Sequence, residues 1–274
     1  MHIVLFFTFD YSLKTWFDSG HITRELKFYN YLIEKGIEVS FVTYGDNQDY
    51  KILEDSRIKV YPIYSLTKKS KFKTVNFIKS FFLPIKLINK IDISSKNIII
   101  KQNQLMGSWV SIIYKLLING KIYTRTGYDM YLFSIKENKK FYKKFLYFLL
   151  TQITILFSDY YSVTSKSDKN FLKNKFFGSR KIIVRPNWVD VASNNKEQKY
   201  ENRLLAVGRL EKQKNFNDLL YAVQGTNFSV DIYGEGSLKN ELIELAKKLE
   251  IKLNIYNNLE NNQLLDIYKQ YKYF

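Results

Sequence analysis

The sequence has 274 residues, of which 46% are hydrophobic, and it carries a formal charge of +17 at pH 7. This length is sufficient for two domains, each with a core of its own. No cysteine occurs, which excludes disulfides, catalytic thiolates and cysteine-ligated zinc or iron–sulfur sites.

The positive charge has two explanations. Lys and Arg number 43 against 26 Asp and Glu, a balance that suits nucleic acid, an anionic membrane surface or a polyanionic small molecule. The chain is also rich in Lys, Asn, Ile, Tyr and Phe, and an AT-rich genome produces that bias in any protein. Composition alone leaves both explanations open.

The N-terminal stretch MHIVLFFTFDYSLK has an apolar run without a basic leader or a small-residue cleavage site. It predicts a first β-strand rather than a signal peptide. The longest uncharged stretch, residues 145–158, has 14 residues, fewer than the roughly 20 that a membrane-spanning helix needs. We therefore expect a cytoplasmic protein.

Apolar periodicity then alternates between short strands and longer helices, which predicts an α/β fold with a parallel sheet. The first unit is a strand over 2–9, a helix over 22–35 with Ile22, Leu26, Tyr29 and Ile33 on one face, and a strand over 37–44. Further strands are predicted at 58–62, 97–101, 121–126, 160–164 and 181–185, and helices at 71–90, 105–118, 137–157 and 166–175. Together they predict a doubly wound domain over residues 1–185.

Residues 186–202 break this pattern. They contain Pro186, several Asn and mixed charge without periodicity, which is typical of an interdomain linker. The alternation resumes in 203–274, with strands at 203–208, 229–234 and 252–256 and helices from about 215, over 237–250 with Ser237 as N-cap, and from about 262. Phe274 ends at what looks like the start of another strand, so we expect this second domain to be incomplete and the chain to be truncated.

Two turns of the second domain are candidates for ligand binding, because ligands bind beyond the carboxyl ends of parallel strands. Gly208 and Arg209 end one strand and Lys214 precedes the next helix, so main-chain N–H groups and two cations would favour an anion there. The alternative is a solvated basic turn. Gly234, Glu235 and Gly236 end the next strand, where the glycines let the main chain approach a ligand or simply make a tight turn.

In this order and separation, both turns resemble the nucleotide-sugar-binding domain of the family-4 retaining glycosyltransferases (glycosyl transferases group 1) of the GT-B fold. VGRLEKQKNFNDLLYAV is similar to the family's GRL-x-x-x-K-x-x-x-x-L-x-x-A segment, and IYGEGSLKNELIELAKKL to its G-x-G-x-x-x-x-L segment. Two weaker matches are YYSVTSKSDKNFL (160–172) and IIVRPNWVD (182–190). The resemblance covers about residues 160–270, and the N-terminal domain agrees in architecture only.

The resemblance implies two Rossmann-like domains, an acceptor-side domain over 1–185 and a partial donor-binding domain over 203–274, with the donor in the cleft between them. Arg209 and Lys214 would be catalytic, holding the diphosphate of a nucleotide sugar and stabilising the leaving group. Gly208, Gly234, Glu235 and Gly236 would contact the donor. The family transfers with retention and generally uses no metal or cofactor, which agrees with a chain that has only two histidines and no evident pair of clustered carboxylates.

Several departures accompany the resemblance. The family's two glutamates spaced by seven residues have no counterpart, so we expect the chain as given to be inactive. The family's N-terminal-domain histidine is missing from YTRTGYDM (123–130), where Arg125 and Asp129 either contact acceptor or donor or pair with each other to hold the loop. The first loop, 10–21, retains only Gly20 of the family's two glycines.

Two stretches combine Lys with large apolar residues, 68–90 and 136–157. They suit helices at a membrane surface, which would place the protein peripherally at the inner face of the cell membrane, or ordinary amphipathic core helices. The leading hypothesis is a hexosyltransferase of cell-surface polysaccharide, lipopolysaccharide or glycolipid assembly. An inactive remnant or a sugar-nucleotide-binding protein comes second, and a nucleic-acid-binding protein last, since the basic residues are scattered without a reading motif.

Overall fold

The computed structural model describes residues 1–20, 22–93, 97–127, 129–187, 199–259 and 261–274. The chain divides into two compact units, Met1–Trp188 and Val189–Phe274. Each unit contains one parallel sheet covered by helices. Most of the predicted linker, residues 188–198, lies outside the described residues.

The sheet of the first unit has seven parallel strands in the order β3-β2-β1-β4-β5-β6-β7. The strands are β1 (His2–Phe6), β2 (Glu38–Thr43), β3 (Lys59–Pro62), β4 (Ile98–Asn103), β5 (Lys121–Arg125), β6 (Tyr160–Val163) and β7 (Ile182–Val184). Every residue of the interior strand β1 is buried, because helices cover both of its faces and leave no side for polar residues. All seven predicted strands are confirmed within a few residues at their ends.

Helices form a layer on each face of this sheet. They are α1 (Leu13–Asp18), α2 (Ile22–Glu34), α3 (Gln48–Ile52), α4 (Ile63–Leu66), α5 (Lys73–Ser80), α6 (Leu83–Ile88), α7 (Ser108–Ile118), α8 (Met130–Lys136), α9 (Phe141–Phe157) and α10 (Lys166–Lys175). Val4 and Phe6 of β1 face a core that includes Leu87 of α6 and Tyr114 of α7. Leu5 faces the opposite core, which includes Tyr29 of α2, so the predicted apolar face of α2 is confirmed.

Two of the predicted helices differ from the structure, one by a break and one by a later start. The prediction of one helix over 71–90 is wrong, because α5 ends at Ser80 and α6 begins at Leu83. Pro84 explains the break, since it has no N–H to donate to the Ser80 carbonyl and its ring would clash with that group. The helix predicted over 137–157 begins only at Phe141, after Asn138 in the left-handed region (φ 46°).

The second unit has a four-stranded parallel sheet in the order β10-β9-β8-β11. Its elements are β8 (Tyr200–Val207), α11 (Phe216–Val223), β9 (Ser229–Tyr233), α12 (Lys239–Lys248), β10 (Leu253–Tyr256), α13 (Asn261–Gln270) and β11 (Tyr271–Tyr273). Strand β8 begins three residues before the predicted Arg203. The strand expected at the last residues is confirmed as β11, which pairs with β8.

A buried carboxylate links all four strands of this sheet. Asp231 on β9 is fully buried and accepts hydrogen bonds from Arg203 Nε on β8 (2.6 Å), Asn254 Nδ2 on β10 (2.7 Å) and the Tyr271 hydroxyl on β11 (2.8 Å). The Arg203 guanidinium also lies 4.3 Å from the Tyr200 ring centre. Because a buried charge is tolerated only when it is paired and hydrogen-bonded, this cluster fixes the strand order of the second unit.

Among the helices that the structure describes, none is long and apolar enough to cross a lipid bilayer.

Candidate functional site

The two turns at the carboxyl ends of β8 and β9 are hydrogen-bonded to each other through their main chains. The Gly208 N–H donates to the Tyr233 carbonyl (3.0 Å) and the Leu210 N–H donates to the Glu235 carbonyl (2.9 Å). The Leu238 N–H, just before α12, returns a bond to the Leu210 carbonyl (3.0 Å). The two turns that sequence reasoning selected are therefore one continuous surface.

The glycines of the second turn permit this contact. A Cβ added to Gly234 would collide with the Gly208 carbonyl oxygen, and one added to Gly236 would lie 2.5 Å from the Leu210 oxygen. In both cases the obstacle is main chain, which cannot rotate away as a flexible side chain can. The Gly-x-Gly spacing thus has a steric reason, whereas donor contacts of Gly208, Gly234, Glu235 and Gly236 stay a prediction.

Arg209 and Lys214 are exposed beside this surface. Lys214 lies in a 3-10 turn (Lys212–Lys214) before α11, and its aliphatic chain passes over Gly208, the residue preceding Arg209. Neither cation forms an ion pair with another described residue. Both are therefore available to an anionic ligand, and their catalytic role stays a prediction.

A side-chain link that sequence reasoning missed also joins the two turns. The Ser237 N–H and hydroxyl both donate to the Glu211 carboxylate, each at 3.2 Å. The prediction of Ser237 as N-cap of the following helix is wrong, because Leu238 occupies that position and Ser237 points to the facing turn. The sequence offered one signal for this link, namely an acidic residue (Glu211) in the first turn and a serine (Ser237) at the end of the second.

The first unit holds the other candidates, and of the two alternatives for Arg125 and Asp129, the one in which they pair with each other is wrong. Arg125 Nη2 donates to Asn187 Oδ1 at 2.7 Å, at the end of β5. Asp129 is 7% exposed and caps α8 by accepting from the Leu132 N–H (2.6 Å), while burial raises the pKa of its carboxyl. Each residue thus has a structural partner of its own, and contact of either with acceptor or donor stays a prediction.

Lys101 is a half-buried cation near Arg125 that the sequence did not reveal. Its amine donates to the Tyr29 hydroxyl (2.7 Å) and lies 5.0 Å from the Phe28 ring centre. Burial lowers the pKa of Lys101 from its ordinary 10.5 to about 8, with Glu25 opposing the shift and Arg125 adding to it. No local sequence pattern marks a lysine that lies inside a buried strand, so this group can be recognised only from the fold.

Gly20 ends the first short helix rather than facing a close neighbour. It adopts a left-handed conformation (φ 68°), its N–H donates to the Phe17 carbonyl (3.0 Å), and the space around its α-carbon is open. This is the usual geometry just after a helix C-terminus. In the part of the chain that the structure describes, no three His, Asp or Glu side chains lie close enough to hold a metal ion.

Comparison with known proteins identifies the segment that carries both turns. Residues 190–274 match the model of the family described as "Glycosyl transferases group 1". Because the match contains Gly208, Arg209, Lys214 and Gly234, the glycosyltransferase resemblance of these motifs is confirmed.

A curated relative is the GalNAc-alpha-(1->4)-GalNAc-alpha-(1->3)-diNAcBac-PP-undecaprenol alpha-1,4-N-acetyl-D-galactosaminyltransferase of Campylobacter jejuni subsp. jejuni serotype O:2. It is 29% identical over 136 residues, which are 47% of this chain and 38% of the relative. The alignment thus spans well under half of the relative's length.

Solved glycosyltransferases share the fold. The lipopolysaccharide outer core galactosyltransferase WaaB superposes with a TM-score of 0.61 at 14% identity, over 98% of this chain and 71% of its own. Anabaena HepE, solved with UDP and glucose, gives a TM-score of 0.59 at 11% identity, over 95% and 70%. The α/β, GT-B-like fold expected from the sequence is confirmed by these likenesses.

Proposed function

We propose that the protein is a retaining glycosyltransferase that moves a sugar from a nucleotide-sugar donor to a cell-surface polysaccharide or glycolipid acceptor. The observation that carries the proposal is the joined pair of turns, beside two cations that form no ion pair with another described residue, inside the segment that matches the group 1 family model. HepE, which shares the fold, was solved with UDP and glucose, and this supports a nucleotide-sugar donor.

The chemistry follows from the charges of the turns. Arg209 offers a planar fork of donors that suits two phosphate oxygens, and Lys214 adds a mobile point charge over Gly208. As the bond from sugar to diphosphate breaks, negative charge grows on the leaving group, and these cations would stabilise it without metal or cofactor. Main-chain N–H groups at the start of α11 would add to the same field.

The acceptor is proposed to be linked to a lipid at a membrane surface. The acceptor in the name of the Campylobacter relative is linked to PP-undecaprenol, and WaaB is named a galactosyltransferase of the lipopolysaccharide outer core. In the first unit, α9 exposes a row of large apolar residues next to lysines, namely Phe141 (80%), Phe145 (50%) and Leu146 (58%). Patches of this kind mark interaction surfaces, and lysines beside them favour an anionic bilayer.

A thermal-shift series with UDP, GDP, ADP and CDP tests the donor site. At about 100 times the Kd, a ligand stabilises the folded protein by about 2.7 kcal/mol, so one nucleotide should raise the melting temperature by several degrees. Arg209→Ala and Lys214→Ala should lose this shift. Arg180→Ala removes an exposed arginine of the first unit and should keep it. Absence of a shift with all four nucleotides would contradict the proposal.

A further inference from the structure

A groove in the first unit has the chemistry of an amphiphile-binding site. It has a volume of about 280 Å³ and lies between the segment after α4 and the consecutive helices α5 and α6. Three lysines line it together with three apolar side chains, namely Lys68, Lys79, Lys86, Leu66, Phe82 and Leu83. Its size is at the lower end of small-ligand pockets, which are about 300–1,000 Å³, so it suits a head group rather than a whole lipid.

The three lysines of the groove have no acidic partner among the residues that the structure describes. None forms an ion pair with a described residue, whereas the neighbouring Lys69 pairs with Asp10 at 3.7 Å. The Lys79 amine donates to the Lys68 main-chain carbonyl (3.1 Å), which holds the Lys79 side chain beside the segment that carries Lys68. Because no acidic residue lines the groove, an anion is the ligand that its charge favours.

The wall of the groove is held in place by the protein itself. Asn76 is buried and both accepts from the Ser70 N–H and donates to the Ser70 carbonyl, each at 2.8 Å. The Trp109 indole N–H on α7 donates to the Ser80 hydroxyl at the end of α5 (2.7 Å). These buried bonds fix the segment before α5 and the helix itself, which lowers the ordering cost of binding.

The two helices that line the cationic groove also carry exposed apolar side chains. Phe82, which lines the groove, is 61% exposed, and Phe72, Ile78 and Ile85, on or next to α5 and α6, are exposed to 71%, 60% and 57%. An anion alone would gain nothing from these apolar side chains. A ligand with an anionic head and a hydrocarbon tail would contact both, with the head at the lysines and the tail along α5 and α6.

We propose that this groove binds the phosphate or diphosphate head of a membrane lipid and thereby holds the lipid carrier of the acceptor glycan. The inference rests on the proposed function for the identity of the lipid as acceptor carrier. The break between α5 and α6 is part of this arrangement, since Phe82 within the break lines the groove together with Lys79 of α5 and Lys86 of α6.

Vesicle flotation with the full chain tests the site. The vesicles are phosphatidylcholine with a polyprenyl diphosphate, compared with phosphatidylserine vesicles of equal charge. Each lysine near such a surface contributes about 1 kcal/mol, so K68Q/K79Q/K86Q should bind the diphosphate vesicles about 100-fold more weakly. K239Q/K248Q/K252Q removes the same charge from exposed lysines of the second unit and should lose less than about threefold.

Two further arms separate a lipid site from a free-phosphate site. Phe82→Ser should weaken vesicle binding about tenfold or more, because burying a phenylalanine contributes roughly 1.5–3 kcal/mol. The same variant should bind soluble pyrophosphate as strongly as wild type does. Equal losses in the two triple variants, equal losses on both vesicle types, or no effect of Phe82→Ser would each overturn the proposal. The nucleotide thermal shift of the second unit is independent of these results, so failure of the groove is distinguishable from failure of the donor site.

Discussion

Replacing Gly234 by alanine is the sharpest test of the joined turns. The added methyl group would overlap the Gly208 carbonyl oxygen. The next nearest atoms, the carbonyl carbon and the nitrogen of Gly208, also belong to the main chain. No rotamer change can relieve the overlap. The turn after β9 must therefore move away from the turn after β8.

The size of the effect follows from what that movement breaks. Overpacking costs about 1–3 kcal/mol, and each main-chain hydrogen bond lost between the turns adds about 0.5–1.5 kcal/mol. The bonds at risk are Gly208 N–H to Tyr233 and Leu210 N–H to Glu235. A loss of about 3 kcal/mol corresponds to a fall of roughly 12–24 °C in the melting temperature of a unit of this size.

Scanning calorimetry with and without nucleotide measures both consequences. Gly234→Ala should lower the transition of the second unit and lose stabilisation by nucleotide. Gly127→Ala is the matched control, since its Cβ would meet only side-chain atoms at 3.6 and 3.8 Å, and it should melt within about 2 °C of wild type. Equal melting temperatures and equal nucleotide affinity of Gly234→Ala and wild type would refute the steric reasoning.

Two more predictions concern buried charge. Asp231→Ala leaves Arg203 without its buried partner and should lower the free energy of unfolding, measured with denaturant, by about 3–5 kcal/mol. Tyr271→Phe removes one hydrogen bond and should lower it by about 1 kcal/mol. Equal losses in the two variants would contradict the cluster. For Lys101, the folded-state pKa is lowered to about 8, so the folded state releases a proton before the unfolded state does. Wild-type stability should therefore rise relative to Lys101→Met between pH 8 and 10.5, by up to about 3 kcal/mol, and a pH-independent difference would contradict the shift.

Much of the fold was predictable because its signals are local. Short β-branched runs alternate with 3.6-residue periodicity, which gave every strand of the first sheet and helices such as α2 and α10. Helices of four to seven residues, such as α4 and α8, are too short to show periodicity and were missed. Pro84 is a sequence signal for a helix break, whereas the apolar spacing around it predicts one continuous helix.

The candidate site was predictable only where residues adjoin a strand end. Gly208, Arg209 and Gly234 could be selected because strand ends converge in parallel sheets. The bonds of Glu211 to Ser237 and of Lys101 to Tyr29 join residues that are far apart in the chain, so no local pattern reports them. Asp129 illustrates the opposite error, since proximity in sequence made pairing with Arg125 one of two alternatives, and the residue instead caps a helix.

Phosphorus NMR of UDP titrated with the protein tests the central claim most directly, because it observes the phosphate groups themselves. Wild type should shift and broaden the β-phosphate resonance at saturable concentrations, since Arg209 and Lys214 are proposed to contact the diphosphate. Arg209→Ala and Lys214→Ala should each weaken this binding at least tenfold, as loss of a hydrogen bond to a charged group costs about 1.5–3 kcal/mol. A β-phosphate resonance that wild type leaves unperturbed, or that both variants perturb as strongly as wild type does, would contradict the assignment of these turns as a diphosphate site.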